Sequence, residues 1–357
     1  MGTAAADLNQ ERDLFVAGAD DIRTVLDGHE DEVLLIIKNT YEAHSRGQTA
    51  VPHSTFLHCP PDEASRIIAL PAYVGGETNC AGIKWIASVP TNLHRGLDRA
   101  SAVLILNTPS TGRPKAILEG SIISAWRTAA SGTLALTVLC KQRPQKVGLI
   151  GCGLINRHLA QFIVALCPDV RTFVVFDLDA ENARKYKEHC ELHFPGIKVE
   201  TANEINEVLR ESTLVSFATT ARHPYVDDLS ICPPDTVILH ISLRDLAPAV
   251  ILACDNVVDD IDHVCRAQTS LHLAEQRLQH RKFIRCTLGD VLTGKSAAQS
   301  HDQRTIVFSP FGLGILDVAL GAYVLERTIA ARKGCIIRSF LPDSWIRTSQ
   351  PALPAAG

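Results

Sequence analysis

A glycine-rich turn between two apolar segments is the clearest chemical feature of the sequence. Gly151 and Gly153 follow one apolar segment, and Asp177 ends the next. Glycine at the first position allows a tight turn, and glycine at the second lets the backbone approach a pyrophosphate. A helix is predicted to follow the turn, with Leu154 and Ile155 in its first turn. Its free N–H groups and the positive end of its dipole would also favour binding of the pyrophosphate. This spacing predicts a dinucleotide-binding βαβ unit.

The residues around the turn indicate which dinucleotide it binds. A carboxylate in the place of Asp177 can accept hydrogen bonds from an adenosine ribose and would repel a 2′-phosphate, so NAD is favoured over NADP. Asn156 stands at the position of the motif's third glycine. The alternative interpretation is a buried strand–turn–helix that binds no nucleotide.

Three cationic residues lie in otherwise apolar stretches: Arg66, Lys84 and Arg127. A cation buried without a partner is costly, so each is expected to face a cleft or an opposite charge. A guanidinium fork suits a carboxylate, and small residues flank Arg127, which lets a ligand approach closely. If the three converge, the substrate carries two or more carboxylates. The alternative is that each is a solvated surface residue.

Further polar residues follow two predicted strands downstream of the turn. Thr219 and Thr220 end the first strand, and Ser242, Arg244 and Asp245 end the second. Ligands of open parallel sheets bind beyond the carboxyl ends of the strands. A buried aspartate beside a nicotinamide could act as a general base or activate water, and the alternative for Asp245 is a helix cap.

Other patterns predict no metal site. His53, His58 and Cys59 lack a second ligand cluster with zinc-like spacing. The aspartates within 259–262 are predicted to form a solvated strand end or helix start rather than a cation site.

Composition excludes several classes of protein. A chain of 357 residues with 46% hydrophobic and 21% charged residues indicates a globular protein of two domains. A net charge of −4 leaves no basic stripe for nucleic acid. The eleven cysteines are scattered and odd in number, which predicts free thiols in a reducing compartment. The apolar stretch 128–140 is too short to cross a membrane and no signal peptide is recognised, so a cytoplasmic location is expected.

Periodicity predicts the elements that position these residues. Three predicted strands at 66–71, 81–87 and 101–106 favour an antiparallel sheet or half-barrel. A long helix over 119–139 leads to the glycine turn, and strands then alternate with helices, which indicates a parallel sheet. A second long helix follows over 315–331.

The predicted fold is therefore α/β, with a Rossmann-type parallel-sheet domain inserted into an α+β substrate-binding and dimerisation domain. The predicted boundaries are 1–140 and 315–357 for the outer domain and 141–314 for the NAD-binding domain.

These residues together resemble the ornithine cyclodeaminase/mu-crystallin family. The motifs that carry the resemblance are 82–84 (Gly-Ile-Lys), 124–130 (Ser-Ala-Trp-Arg-Thr-Ala-Ala), 151–153 (Gly-Cys-Gly), 176–177 (Phe-Asp), Asp245 and 308–314 (Phe-Ser-Pro-Phe-Gly-Leu-Gly). The resemblance implies NAD as cofactor, contacted at Thr128, Thr219, Thr220 and Ser242 as well as at the glycine turn. It also implies a homodimer formed through the first domain's sheet.

Within the family, the stretches 66–71, 82–86, 99–101, 150–155 and 241–245 are most similar to a branch that acts on an amino-acid conjugate with several carboxylates. The implied reaction is the NAD-dependent oxidative hydrolysis of N-(2-amino-2-carboxyethyl)-L-glutamate to 2-oxoglutarate and L-2,3-diaminopropionate, a building block for siderophores and peptide natural products. Arg66 and Arg127 would hold carboxylates, Lys84 would orient a carboxylate or stabilise charge, and Asp245 would accept a proton or activate water.

One departure and two alternatives accompany this expectation. The cyclodeaminase pattern has a glutamate before its Leu-Met-Pro turn, and the stretch 68–71 here, Ile-Ala-Leu-Pro, has none, which argues against cyclising ornithine. The alternatives are a ketimine or pyrroline-2-carboxylate reductase, or another opine-type dehydrogenase, and a mu-crystallin-like protein that binds NAD(P)H and a small ligand without turnover.

Overall fold

The computed structural model describes residues 12–59, 62–299 and 304–343. The outermost parts of the predicted first domain, residues 1–11 and 344–357, lie outside the described residues.

The part of the chain before the glycine turn builds most of one sheet and three helices. In chain order its elements are β1 (Leu14–Ala17), α1 (Ala19–Leu26), α2 (Glu30–Ser45), β2 (Thr49–Ala50), β3 (Thr55–Cys59), β4 (Asp62–Val74), β5 (Cys80–Ser88), a 3₁₀ helix (Pro90–Arg95), β6 (Ala100–Asn107), β7 (Pro114–Glu119) and α3 (Gly120–Leu139).

The middle of the chain alternates strands and helices. Its elements are β8 (Lys146–Ile150), α4 (Leu154–Leu166), β9 (Thr172–Phe176), α5 (Ala180–His193), β10 (Lys198–Thr201), α6 (Ile205–Glu211), β11 (Leu214–Phe217), β12 (Val237–His240), α7 (Pro248–Ala253), β13 (Asp255–Val258), α8 (Ile261–Val264), α9 (Ser270–Leu278), β14 (Ile284–Thr287), α10 (Leu288–Leu292) and β15 (Ile306–Ser309). The chain then returns through α11 (Gly314–Ala330) and β16 (Cys335–Ile337).

Two sheets result, and their hydrogen bonding confirms the predicted fold class. The first has the order β16-β1-β7-β6-β5-β4-β2, with β3 also paired to β4, and it is antiparallel except for the β1–β7 pair. The second has the order β10-β9-β8-β11-β12-β15-β13-β14, and all its pairs are parallel. Parallel strands joined through helices give the Rossmann-type α/β arrangement.

Helix α3 lies in the interior, where it packs against α2, α4 and β6. Its length and composition alone would allow it to cross a membrane, but 83% of its most apolar window is buried inside the protein. A core helix passes the same test, so this single helix is weak evidence for a membrane span. The rigid position of α3 matters because it carries Arg127 and Thr128.

Helix α11 packs on the inner face of the antiparallel sheet, against β4 and β5. A Cβ atom at Gly314 would come within 2.9 Å of the carbonyl oxygen of Leu70, so glycine lets the start of the helix approach the strand backbone. Leu70 is paired with Lys84 across β4 and β5. The approach therefore places the first turns of α11 over Lys84.

Candidate active site

The glycine turn has the geometry that a bound pyrophosphate requires. Gly151 adopts φ +91°, and a Cβ there would lie 2.5 Å from the carbonyl oxygen of Ala218, so only glycine is accommodated. Around Gly153, the N-cap of α4, the space is open, and no side chain caps the helix. The first N–H groups of α4, at Leu154 and Ile155, thus remain available for an anion.

Asp177 lies at the end of β9, beside the turn, because Ile150 pairs with Phe176 across β8 and β9. Its Oδ2 accepts a hydrogen bond from the backbone N of Cys152 at 2.8 Å, and its Oδ1 accepts one from the N of Asp179 at 3.0 Å. These bonds fix the Asp177 carboxylate beside the glycine turn. The motif predicts that a carboxylate in this place binds the ribose.

Asn156 stands in the place of the third glycine, and its side chain is accommodated between α4 and the parallel sheet. It is fully buried, and its Nδ2 donates to the carbonyl oxygens of Ile150 at 3.1 Å and Gly151 at 2.8 Å. Its Oδ1 accepts a hydrogen bond from Ser216 Oγ at 2.8 Å. The amide therefore connects α4 to both β8 and β11 through hydrogen bonds. A glycine at this position could hold the helix against the strands only by close packing.

Asp245 is buried at the carboxyl end of the parallel sheet and is not a helix cap. Its Oδ1 accepts hydrogen bonds from the hydroxyl groups of Thr219 and of Tyr225, the latter at 3.0 Å. Its Oδ2 accepts one from Ser242 Oγ, and His240 Nε2 lies 3.3 Å away. The carboxylate thus joins the loops after β11 and β12, which carry residues predicted to contact the cofactor.

The electrostatic setting of Asp245 favours its ionised form at neutral pH. Burial raises its pKa, but the interactions with His240, Ser242 and Thr219 outweigh burial and leave the pKa below its usual value. Because Asp245 has no exposed surface, a proton can reach it only through the groups that hydrogen-bond to it. Tyr225 was not singled out by the sequence, since nothing in its local pattern points to the strand ends.

Lys84 and Arg127 meet at a buried acid, Asp317 on α11. Lys84 Nζ donates to both Asp317 oxygens, at 2.9 and 2.8 Å, and to Ser124 Oγ at 2.9 Å. Arg127 Nε donates to Asp317 Oδ1 at 3.2 Å. Lys84 is 2% exposed and Asp317 0%, so the group, which we call the Lys84–Asp317–Arg127 centre, is buried with one net positive charge.

Sequence reasoning predicted a partner charge or cleft for Lys84 but missed Asp317. A signal was present, because Asp317 is the single charged residue between Gly312 and Tyr323, an otherwise apolar stretch. Burial and the nearby guanidinium of Arg127 lower the pKa of Lys84 to about 8, although Asp317 acts in the opposite direction.

A small pocket adjoins this centre. Residues from four regions of the chain line it: Val51, Pro52, Ser54, Leu70, His263 and Phe311–Gly314. A Cβ at Gly312 would come within 2.7 Å of Arg127 Nη1, so this glycine leaves room for the guanidinium at the pocket wall. His263 Nδ1 lies 2.9 Å from Asp260 Oδ1; burial lowers the pKa of His263, but interactions with Asp260 outweigh it and give a raised pKa.

Arg66 does not join the Lys84–Asp317–Arg127 centre. It is opposite Ser88 on β5, four residues from the Leu70–Lys84 pair, which is about 13 Å along the strands. Its guanidinium lies over the ring of Phe56, 5.9 Å from the ring centroid. The three predicted cations therefore occupy two places rather than one, although Arg66 and Lys84 share a face of the sheet.

Of the remaining predicted cofactor residues, Thr128 lies in the middle of α3, and Thr220 and Ser242 follow β11 and β12. Thr128 follows Arg127 on α3, with its hydroxyl donating to Ser124 O at 2.7 Å. Thr220 is exposed in the loop after β11, and Ser242 Oγ also donates to Phe217 O at 2.9 Å.

The aspartates after β13 were predicted to form a solvated strand end or helix start. The structure confirms this only in part. Asp259 is fully buried. Its carboxylate accepts hydrogen bonds from the backbone N–H groups of Phe311 and Gly312, which compensate for the loss of water. Asp260 does begin a helix, and it caps α8 through His263 N. Within residues 12–59, 62–299 and 304–343, no three His, Cys, Asp or Glu side chains are grouped so as to hold a metal ion.

The parallel sheet, its glycine turn and the adjoining acid define the class of the protein as a Rossmann-type α/β protein with a dinucleotide-binding turn. The chain belongs to the ornithine cyclodeaminase/mu-crystallin family, whose model matches residues 29–332. The resemblance stated from the sequence motifs is thereby confirmed.

Several proteins of known activity are similar over almost their whole length. N-((2S)-2-amino-2-carboxyethyl)-L-glutamate dehydrogenase of Staphylococcus aureus is 27% identical over 88% of this chain and 96% of its own. The structure of Thermococcus litoralis Δ1-pyrroline-2-carboxylate reductase with NADH and L-proline aligns with a TM-score of 0.83 and 22% identity, covering 90% and 99% of the chains. An archaeal alanine dehydrogenase dimer with bound NAD aligns with a TM-score of 0.82 and 23% identity, covering 91% and 99%. The expected enzyme class, a dehydrogenase of amino-acid substrates that uses NAD, agrees with these relatives.

We predict that Asn156→Ala lowers the free energy of unfolding by about 2–4 kcal/mol, because three buried hydrogen bonds are lost and Ser216 is left unpaired. Urea denaturation measures the change. Ser216→Ala removes only one of these bonds and should cost about 1 kcal/mol. Equal losses for the two variants would contradict the assigned role of the amide.

We predict that Asp317→Asn lowers the free energy of unfolding by about 3–5 kcal/mol at neutral pH, because two buried cations lose their counter-charge. The folded-state pKa of Lys84 lies below its unfolded value of 10.5, so the cost of keeping it charged is complete below pH about 8 and decreases as pH rises toward 10.5. The loss in the variant should consequently shrink at alkaline pH. Glu326→Gln, on the exposed side of the same helix, is the matched control.

Proposed function

We propose that the protein catalyses the NAD-dependent oxidative hydrolysis of N-(2-amino-2-carboxyethyl)-L-glutamate, giving 2-oxoglutarate and L-2,3-diaminopropionate for siderophore or peptide natural-product biosynthesis. The observation that carries the proposal is a set of arginines without acidic partners in the described part of the chain: Arg66 and Arg99, whose buried Nε atoms have no hydrogen-bond partner, and Arg244, which follows β12 at the carboxyl end of the nucleotide sheet. The chain is also 27% identical to an enzyme named for that substrate. A substrate with one carboxylate would leave most of these cations without a counter-charge.

The reaction balances with water as the second reactant. NAD, held by the glycine turn and Asp177, would supply the hydride acceptor for oxidation of the glutamate α-carbon. The amine nitrogen loses its proton as the C=N bond forms, and water then adds to this carbon. The C–N bond breaks to give the ketone of 2-oxoglutarate and the free amine of diaminopropionate. Per turnover, NADH and one proton are released.

Arg127 and Lys84 would bind the substrate and stabilise charge that develops on it. Arg127 would bind the carboxylate next to the reacting carbon through Nη1, because its Nε and Nη2 already bond to Asp317 and Ser124. Lys84 has its three N–H groups engaged by Asp317 and Ser124, so it would act as a nearby positive charge that stabilises developing negative charge.

Asp245 would receive the released proton through the hydroxyl groups that contact it, and so help to activate water. Thr219 and Ser242 donate to this carboxylate; Thr219 follows β11, which pairs with the strand before the glycine turn, and Ser242 follows the next strand, β12. We propose that these two residues, with Thr128 and Thr220, border the nicotinamide half of NAD. Asp177 and the start of α4 would bind the other half.

We also retain the predicted domain boundaries as a proposal. Residues 1–140 and 315–357 would bind the substrate and form the dimer, and residues 141–314 would bind NAD. The assignment of the two sheets to these parts supports it, since β1–β7 and β16 form one sheet and β8–β15 the other. A cytoplasmic location is proposed because the ten cysteines that the structure describes are free.

We predict that the purified protein reduces NAD when given the glutamate–diaminopropionate conjugate, which is followed by NADH absorbance. Arg127→Ala should raise the KM for the conjugate by about tenfold or more, while NAD affinity stays within about twofold, because one charged hydrogen-bonding partner is removed from the substrate only. Fast oxidation of NAD(P)H with a cyclic imine, without turnover of the conjugate, would instead establish a ketimine or pyrroline-2-carboxylate reductase. Binding of NAD(P)H with no turnover of either substrate would establish the mu-crystallin-like function.

The outer face of the antiparallel sheet supports the proposed homodimer. Trp85 and Val103 are opposite each other on β5 and β6, and they are 41% and 40% exposed. Leu57 on β3 is 47% exposed on the same sheet. An exposed apolar sheet face of this kind marks an interface, and a second copy would cover it.

We predict that Trp85→Glu converts the dimer to monomer, because a charge would be buried at the centre of this face. Sedimentation velocity measures the change in mass. Leu192→Glu, at an exposed position on α5, should leave the assembly unaltered. A dimer that persists in Trp85→Glu would place the interface elsewhere.

A further inference from the structure

Arginines lie at one end of the antiparallel sheet and at the carboxyl end of the parallel sheet. Arg66 on β4 is opposite Ser88, and Ser88 is opposite Ala100 on β6. Arg99 immediately precedes Ala100, and its carbonyl oxygen accepts a hydrogen bond from Val89 N at 2.8 Å. The register therefore brings Arg66 and Arg99 to the same end of the antiparallel sheet, two strands apart.

The parallel sheet contributes two more arginines from the loops at its carboxyl end. Arg222 lies in the loop after β11, and Arg244 lies in the turn after β12. Arg244 Nη2 donates to the carbonyl oxygen of Ala267 at 2.6 Å, which fixes its side chain. We call Arg66, Arg99, Arg222 and Arg244 the arginine cluster.

The members of the cluster act on one another electrostatically. Burial lowers the pKa of Arg99, and the charges of Arg66 and Arg222 lower it further. The pKa of Arg244 is lowered by burial and then by Arg66 and Arg99, with only Asp245 opposing. Charges carried by the two sheets thus lie close enough to repel one another.

No carboxylate in the described part of the chain lies within ion-pair distance of these four guanidinium groups. The Nε atoms of Arg66 and Arg99 are buried and have no hydrogen-bond partner. Asp245, the acid that acts on Arg244, is already engaged by Thr219, Tyr225 and Ser242. A buried donor and a concentration of like charge are both costly, so an anion from outside the chain would stabilise the cluster.

The position of the cluster separates it from the adenosine end of NAD. Asp177 follows β9, and Arg244 follows β12, three strands away, which is about 14 Å across the sheet. The cluster also lies apart from Arg127, since Arg66 is about 13 Å along β4 from the Leu70–Lys84 pair. An anion bound here would therefore belong to the part of a substrate that is remote from the reacting carbon.

We propose that the arginine cluster is a second carboxylate-binding site, which holds the distal carboxylates of the substrate and selects multi-carboxylate amines over simple amino acids. This inference rests on the proposed function for the identity of the whole substrate. Arg66 and Arg99 bind the distal carboxylates from the antiparallel sheet, and Arg244 binds them from the nucleotide sheet. Filling the site neutralises the repulsion between the sheets and draws them together.

Binding of glutarate, a dicarboxylate, to the full-length protein tests the site without turnover. Calorimetry and thermal unfolding are measured with glutarate, butyrate and phosphate at constant ionic strength. We expect glutarate to bind more tightly than butyrate and to raise the melting temperature more than either other anion. Equal effects of glutarate and butyrate would overturn the proposal, and phosphate as the best ligand would overturn the carboxylate assignment.

Arg99→Gln and Arg95→Gln are the matched variants, since both remove one positive charge and Arg95 is exposed on the neighbouring 3₁₀ helix. Arg99→Gln should weaken glutarate binding by about tenfold or more, which corresponds to one lost charged hydrogen bond, and Arg95→Gln by less than about twofold. Without ligand, Arg99→Gln should melt no lower than the wild type, because one repelled cation is gone. A large fall in its melting temperature would show a structural role and overturn the proposal.

Kinetics separate this inference from the proposed function. If the conjugate is turned over, Arg99→Gln should raise its KM with little change in kcat; an unchanged KM would overturn the site and leave the function standing. If the wild type binds glutarate through the cluster but does not oxidise the conjugate, the site stands and the proposed substrate fails.

Discussion

The buried contact between Asp317 and the two cations Lys84 and Arg127 joins the three elements around which the site is built. Lys84 comes from β5, Arg127 from α3 and Asp317 from α11, so one carboxylate links strand, core helix and returning helix. Charges removed from water at such depth are tolerated only when they are paired, and the loss of one partner costs about 3–5 kcal/mol. The contact therefore requires α11 to return from the far end of the chain to the first sheet. One net positive charge is left over, and Arg127 Nη1 lies beside Gly312, a residue of the pocket wall.

Buried polar groups play a comparable part on the nucleotide side. Asn156 connects α4 with two strands through its amide, and Asp245 connects two strand-end loops through its carboxylate. Each has its hydrogen-bonding capacity filled by the chain, which makes these networks rigid and costly to disrupt. The arginine cluster is the contrast. Its guanidinium groups come from both sheets and lack acidic partners in the described part of the chain, so the chain's own residues leave its charge unbalanced.

Local pattern was sufficient for much of the fold. The apolar strands, the glycine turn and the long helices α3 and α11 were predicted from their periodicity, because each buries a continuous face or run of apolar residues. Several elements were not predicted from the sequence, and two of them show the physical reasons. Helix α5 is polar over most of its surface and buries only a few side chains, including Tyr186, so its apolar stripe is weak. Strand β16 has three residues, and its pairing with β1 depends on contacts more than 300 positions apart in the chain.

The sequence by itself determined the class of cofactor site and the identity of the unusual residues: two glycines before a helix, an acid after the next strand, and cations in apolar stretches. Those features are local, since a tight turn, a helix end and the cost of burying a charge depend on near neighbours. Only the tertiary structure decided which charges meet. It paired Lys84 and Arg127 with Asp317, placed Arg66 with Arg99 and Arg244, and surrounded Asp245 with hydroxyl groups. These partners lie on different strands and helices, and electrostatic energy depends on distance in space rather than on separation along the chain.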